Sequence, residues 1–230
     1  MTIAARASPN FDARPEDTPI DMLVLHYTGM RTAWEALDRL CDPGAKVSAH
    51  YVIDEDGTIA ALVDEDRRAW HAGLACWRGA RDVNGRSIGV ELVNPGHEFG
   101  YRKFPEAQMK ALEDLAKAVL ARHPIPPRNV VGHSDVAPAR KQDPGELLDW
   151  QRLARAGIGL WTDTAAPTTE MLADIGSMLA TYGYNVADLP AAIVAFQRHF
   201  RPERVDGKAD AETIGRLAAL LRCLDARPTL

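Results

Sequence analysis

The sequence is poor in cysteine. It has three, Cys41, Cys76 and Cys223, an odd number spaced far apart. No CxxC pair exists, so neither a thiolate zinc knuckle nor a disulfide framework is indicated. The thiols read as free groups in a reducing compartment. A basic excess is also lacking: 27 lysines and arginines face 32 aspartates and glutamates, a formal net charge of -5. Without a basic footprint, nucleic-acid binding is not expected. No apolar run approaches the roughly 18 residues of a membrane span. The N-terminal "MTIAARASPNFDARPEDTP" lacks the apolar core of about 7–15 residues that marks a signal peptide. The chain as written is therefore expected in the cytoplasm; a start codon further upstream would open the periplasm or cell envelope. No obligate protein partner is indicated.

What is present suits a globular protein of ordinary composition. Apolar residues make up 46% of the 230, enough for a normal core. The length suggests one main domain with a small accessory unit. After an extended, Pro/Ala/Arg/Asp-rich opening, "DMLVLHYT" reads as a buried strand and "TAWEALDRLCD" as a helix. "AHYVIDEDGTIAALV" is two strand-like runs around Asp56-Gly57, a hairpin signal. "SIGVELVN" and "RNVVGH" are further strands. Between them "PEAQMKALEDLAKAVLARHP" carries an apolar stripe of Met109, Leu112, Ala116, Val119 and Leu120, with Pro124 ending the helix. Strands and helices mix without a βαβ repeat. The expected fold is α/β, a central mixed β-sheet flanked by helices. The domain expectation is 1–158 as the main unit, 159–167 as linker and 168–230 as a small helical bundle. Its helices are expected at Glu170–Tyr182, Pro190–Phe200 and Ala211–Leu221.

The chemistry gathers at strand ends, where a sheet can aim side chains into a cleft. His26 ends "MLVLH" and His133 ends "NVVGH"; Asp143 follows His133 ten residues on, across a Pro-containing loop. Two imidazoles and a carboxylate are a typical catalytic zinc set, leaving one position for water. Taken singly, His26 reads first as a hydrogen-bonded strand-end histidine, and His133 and Asp143 as an ordinary polar loop. Asp135, two residues after His133, competes with Asp143 for the ligand position but reads better as a supporting or loop-capping group. Glu91 stands inside an apolar strand, where a lone carboxylate is costly unless paired or functional. It reads as a general base, or as a solvent-facing edge residue. In extended "KQD", Lys141 points to the same side as Asp143. It reads as an oxyanion-stabilising cation, or as a solvated lysine.

Five segments, "LHYTG", "SAHYVIDEDGTI", "AWHAG", "SIGVELVN" and "VVGHSDVAPARKQDPG", occur in this order. Together they resemble the zinc-dependent N-acetylmuramoyl-L-alanine amidases of the type 2 class, over roughly 21–150. The resemblance implies a mixed sheet with one zinc in a surface groove. It implies hydrolysis of the amide joining the lactyl group of N-acetylmuramic acid to L-alanine, in peptidoglycan or muropeptide substrates. His26, His133 and Asp143 would be the zinc ligands, Glu91 the base and Lys141 the oxyanion cation. His50, Trp70, His71 and Asn94 would line the substrate groove. The tail "AIVAFQRHF…VDGKADAETIGRL" resembles a small three-helix peptidoglycan-binding module through Phe196-Gln197, Asp206-Gly207 and Thr213. It departs where Ala209-Asp210 replaces the usual second glycine. A non-catalytic peptidoglycan recognition protein on the same fold is the alternative, although such relatives typically lose a metal ligand. A zinc peptidase cutting within the stem peptide is a third reading.

Overall fold

The computed structural model describes residues 3–163 and 174–225. Eight strands form: β1 Ile3–Ala5, β2 Phe11–Ala13, β3 Met22–Tyr27, β4 Tyr51–Ile53, β5 Ile59–Ala61, β6 Arg67–Ala69, β7 Ser87–Leu92 and β8 Val130–Gly132. Six of them make one sheet in the order β1-β5-β4-β7-β3-β8; β2 and β6 pair separately. Only β4–β5 is antiparallel in the large sheet, so it is mixed, as the sequence pattern leads one to expect. The hairpin turns at Asp54–Thr58. Gly57 there has φ +87°, a left-handed conformation that favours glycine.

Nine helices surround the sheet among the described residues: α1 Ala33–Cys41, α2 Val83–Arg86, α3 Gly96–Phe99, α4 Glu106–Arg122, α5 His133–Val136, α6 Trp150–Arg155, α7 Ile175–Tyr182, α8 Leu189–Phe200 and α9 Ala211–Asp225. The apolar stripe of α4 covers one face. Met109, Leu112, Leu115, Ala116 and Val119 pack on Leu23, Leu25, Ile88, Val90 and Leu92. Thr32 caps α1 by accepting from the Glu35 N–H, and α1 closes a smaller cluster with Leu40 against Val52 and Val93. The alternation of β3 sends Met22 and Val24 to the opposite face, together with His26. There they meet Tyr182, Phe196, Phe200, Leu217 and Leu220 of the C-terminal helices in one continuous core.

The expected 159–167 linker lies partly outside the described residues, as do Glu170–Ala173 of the first expected C-terminal helix. The other two C-terminal helices fall close to their expected positions. Their loop does without the second glycine. Buried Gln197 accepts from the Asp206 and Gly207 N–H groups and donates to the Lys208 carbonyl. Asp210 accepts from the Thr213 N–H at the start of α9. Phe196 is fully enclosed core. Among the described residues, no helix is long and apolar enough to cross a membrane.

The N-terminal segment is more ordered than its composition suggests. β1 adds to β5 in parallel, and β2 pairs with β6. Arg14 follows, donating to the carbonyls of Glu65, Asn84, Gly85 and Ser87.

Candidate active site

The parallel strands β3, β7 and β8 deliver the site at their carboxyl ends, where open α/β sheets generally place ligands. Register makes His26 the direct neighbour of Glu91. β8 runs straight into α5, so His133 is the first residue of a helical turn rather than the last of a strand. The following loop returns on itself. The Lys141 N–H donates to the Ala137 carbonyl, and the Ser134 N–H donates to the Asp143 carbonyl, which seats Asp143 beside His133. Tyr101 fixes the loop's far end by donating to the Pro144 carbonyl and accepting from the Leu147 N–H.

Three atoms converge. His26 Nδ1 lies 3.0 Å from His133 Nδ1 and 3.0 Å from Asp143 Oδ2; His133 Nδ1 lies 3.1 Å from Asp143 Oδ2. All three residues are buried, and the set can hold a metal ion. The hydrogen-bond inventory decides where the protons are. His133 Nε2 faces the Ala72 carbonyl at 3.0 Å and must donate to it, so its Nδ1 carries a lone pair. Ser87 gives its hydroxyl proton to the Val83 carbonyl at 2.6 Å, so it can only accept from His71 Nε2 at 3.1 Å. His71 Nδ1 must then accept from His26 Nε2 at 3.1 Å, and His26 Nδ1 also carries a lone pair.

Two lone pairs and a carboxylate therefore face one another with no proton between them. In a buried site, such a set asks for a cation. Electrostatics agree. Burial, then His133, lower the His26 pKa to about 4, so the imidazole is neutral near pH 7. Burial lowers His71 well below its ordinary value too, helped by His26 and His50.

Glu91, Lys141, His133, Asp143, Tyr27 and Trp70 line one groove of about 360 Å³. Glu91 Oε2 is enclosed and has no hydrogen-bond partner among the described residues. Burial, then Asp143, push the Glu91 carboxyl well above its usual range, and Lys141 pulls the other way. A carboxyl that readily takes up a proton beside a metal-binding set is equipped for acid–base work. Lys141 is half-buried in the groove wall, not on the outer surface.

The four groove residues expected from sequence divide. Trp70 lines the groove, with its Nε1 donating to Asp12 Oδ2. His71 reaches the groove edge, but its ring nitrogens are used by His26 and Ser87, so it supports His26. The structure does not bring His50 or Asn94 to the groove. His50 is fully buried; Nδ1 accepts from the Gly89 N–H and Nε2 donates to the Arg67 carbonyl. Asn94, also fully buried, donates to the Arg102 carbonyl and accepts from the Gly96 N–H. Both organise backbone.

Ser87 and Arg140 were not singled out from sequence. Arg140 donates to the Ala72 and Leu74 carbonyls and so braces the loop that receives His133 Nε2. For Ser87 one signal was legible: Gly89, two residues on, interrupts a strand, which marks a close approach. A Cβ at Gly89 would stand 2.5 Å from the His71 ring.

Residues 16–146 match the family model described as N-acetylmuramoyl-L-alanine amidase. The Escherichia coli N-acetylmuramoyl-L-alanine amidase AmiD is 41% identical over 88% of this chain and 82% of its own length. Its solved complex with anhydro-N-acetylmuramic acid-L-Ala-D-gamma-Glu-L-Lys superposes with a TM-score of 0.79 at 38% identity, covering 92% of this chain and 93% of that one. Pseudomonas aeruginosa AmpDh3, solved with an anhydromuramic pentapeptide, gives a TM-score of 0.80 at 34% identity over 95% and 98%. Citrobacter freundii 1,6-anhydro-N-acetylmuramyl-L-alanine amidase AmpD is 35% identical over 63% of this chain and 84% of its own length. With a match of this extent over the residues that build the groove, the chain belongs to the N-acetylmuramoyl-L-alanine amidase family.

Proposed function

We propose that this chain is a zinc-dependent hydrolase of the amide between the lactyl group of N-acetylmuramic acid and L-alanine, acting on peptidoglycan stem peptides or muropeptides. The observation that carries the reading is the convergence of two bare imidazole nitrogens and a carboxylate beside the unpartnered Glu91 Oε2. The muramyl-peptide ligands of the AmiD and AmpDh3 structures support the substrate class.

His26 Nδ1, His133 Nδ1 and Asp143 Oδ2 would hold the metal. A zinc ion held there would supply Lewis-acid polarisation of the water and the scissile carbonyl. Glu91 takes a proton from the water as the new C–O bond forms, and delivers it to the leaving L-alanine nitrogen as the C–N bond breaks. Its raised pKa suits both transfers. The Lys141 ammonium stabilises the oxygen that gains charge in the tetrahedral stage. Trp70 forms a wall for the substrate. Residues 1–158 would be the catalytic unit and 168–230 a peptidoglycan-binding-like unit. Such work takes place in the cell envelope, or in the cytoplasm on released fragments.

Glu91→Ala tests the assignment. Turnover should fall at least about a hundredfold while the protein still binds zinc. Near-normal release of stem peptide by that variant overturns it.

A further inference from the structure

The C-terminal helices share a core with the sheet, and one buried side chain ties them to the metal-binding set. Asp135 is fully enclosed. Its Oδ2 accepts from the Gly132 N–H at 2.7 Å and from His199 Nδ1 at 2.7 Å; its Oδ1 accepts from the Tyr184 hydroxyl at 2.7 Å. Gly132 immediately precedes His133, and Asp135 lies two residues after it in the same turn, α5. Tyr184 and His199 belong to the C-terminal helical unit, 49 and 64 positions further along the chain.

Neither donor is free to wander. The Tyr184 ring meets Trp77 edge-on, with centroids 5.1 Å apart. The His199 ring lies between Trp150, at 3.7 Å, and Phe200, at 3.8 Å, near-parallel to both. Val136, in α5, packs in the same core as Tyr184, Phe196 and Phe200.

We propose that Asp135 is a positioning residue through which the C-terminal helices set His133. The helical unit is then a structural part of the catalytic site, beyond any role in holding the polymer. A buried carboxylate needs its donors, and the Gly132 N–H alone leaves Oδ1 empty. Tyr184 and His199 fix the carboxylate, the carboxylate fixes the start of α5, and that start carries His133 with Nε2 on the Ala72 carbonyl and Nδ1 toward the metal position. If the unit served only as a tethered binder, effective concentration would be its whole contribution, and small substrates would not register its loss. This inference rests on the zinc reading above.

The full-length double variant Tyr184→Phe/His199→Phe keeps an aromatic ring at each position and removes both donors. Its zinc Kd, measured by chelator competition, should rise about tenfold to a hundredfold. On a soluble anhydromuramyl tripeptide, kcat should fall with KM little changed. Gln197→Ala, which unties the 206–208 loop and Thr213, should lower the melting temperature and leave zinc Kd unchanged. An unchanged zinc Kd and kcat in the double variant, with loss confined to whole sacculi, overturns the proposal.

Single Tyr184→Phe covers the case in which the double variant does not fold. In metal-free protein its amide exchange over residues 132–136 should quicken about fivefold. Unchanged exchange there counts against the strut. Failure of the parent protein to bind zinc sinks the metal reading instead, and the exchange result still decides the role of Asp135.

Discussion

Ser87 touches neither the proposed metal position nor the groove, and its removal should still weaken zinc binding. In Ser87→Ala the His71 Nε2–H loses its acceptor. Two responses are open to a buried imidazole in that position. It can keep its tautomer with an unsatisfied donor, at a cost of about 1–3 kcal/mol. Or it can move its proton to Nδ1, which faces His26 Nε2 at 3.1 Å. His26 would then have to carry its own proton on Nδ1, the atom that faces Asp143 and His133. The first route costs metal-free and metal-bound protein alike; the second takes the lone pair of His26 Nδ1 away from the metal position and weakens zinc binding. Loss of such a supporting contact typically lowers metal affinity about 10–100-fold, or about 1.4–2.7 kcal/mol. The assay is zinc competition against a chromophoric chelator near pH 7.5, with melting of the metal-free protein in parallel. A zinc Kd within twofold of the parent, with an unchanged melting temperature, would refute the proton inventory built on Ser87, His71 and His26.

Lys141→Met should lower kcat by about a hundredfold to a thousandfold with zinc content retained, if its ammonium meets the developing oxyanion. Steady-state kinetics on a defined muropeptide read this, and a change in KM alone would remove Lys141 from the chemistry. Glu65 gives a pH dependence away from the site. Burial raises its pKa, but hydrogen bonds from Arg122, His123 and Tyr51 outweigh this and bring it from an ordinary 4.5 to about 2. The unfolded state therefore binds the extra proton between those values. Glu65 stabilises the fold fully above about pH 5, by at most about 3 kcal/mol, and this is lost as pH falls through that window. The melting-temperature gap between the parent and Glu65→Gln should thus be constant above pH 5 and close on acidification; a gap that widens on acidification refutes the sign.

The residues that converge at the sheet's carboxyl end were legible as candidates because they break local pattern. His26 and Glu91 interrupt apolar strands, and His133 and Asp143 bracket a Pro-containing return. What sequence could not supply was register. That His26 and Glu91 sit side by side follows from β3 pairing with β7, strands separated by the whole β4–β6 region. The same gap explains His50 and His71. Both are groove residues only by what the family resemblance implies, since nothing in their local pattern says which way the rings face. Burial on the Gly89 side of β7 instead commits them to the Gly89 N–H and to His26. The short β6 has no alternation to read, since Arg67 and Arg68 precede Ala69. The C-terminal helices were visible in their periodicity. Their docking was not, because an apolar stripe says that a face is covered and not by what. Asp135 looked like a loop cap and is one, through Gly132; its two other partners lie too far along the chain for any local pattern to show.

The most direct test is mass spectrometry of a defined anhydromuramyl tripeptide after incubation with zinc-loaded protein, beside a chelator-stripped sample. The account predicts a muramyl product with its lactyl carboxylate intact and a peptide with a free L-alanine amino group. It predicts that stripping abolishes both and that added zinc restores them. Cleavage within the stem peptide, leaving L-alanine on the muramyl group, or undiminished turnover in the stripped sample, would contradict it.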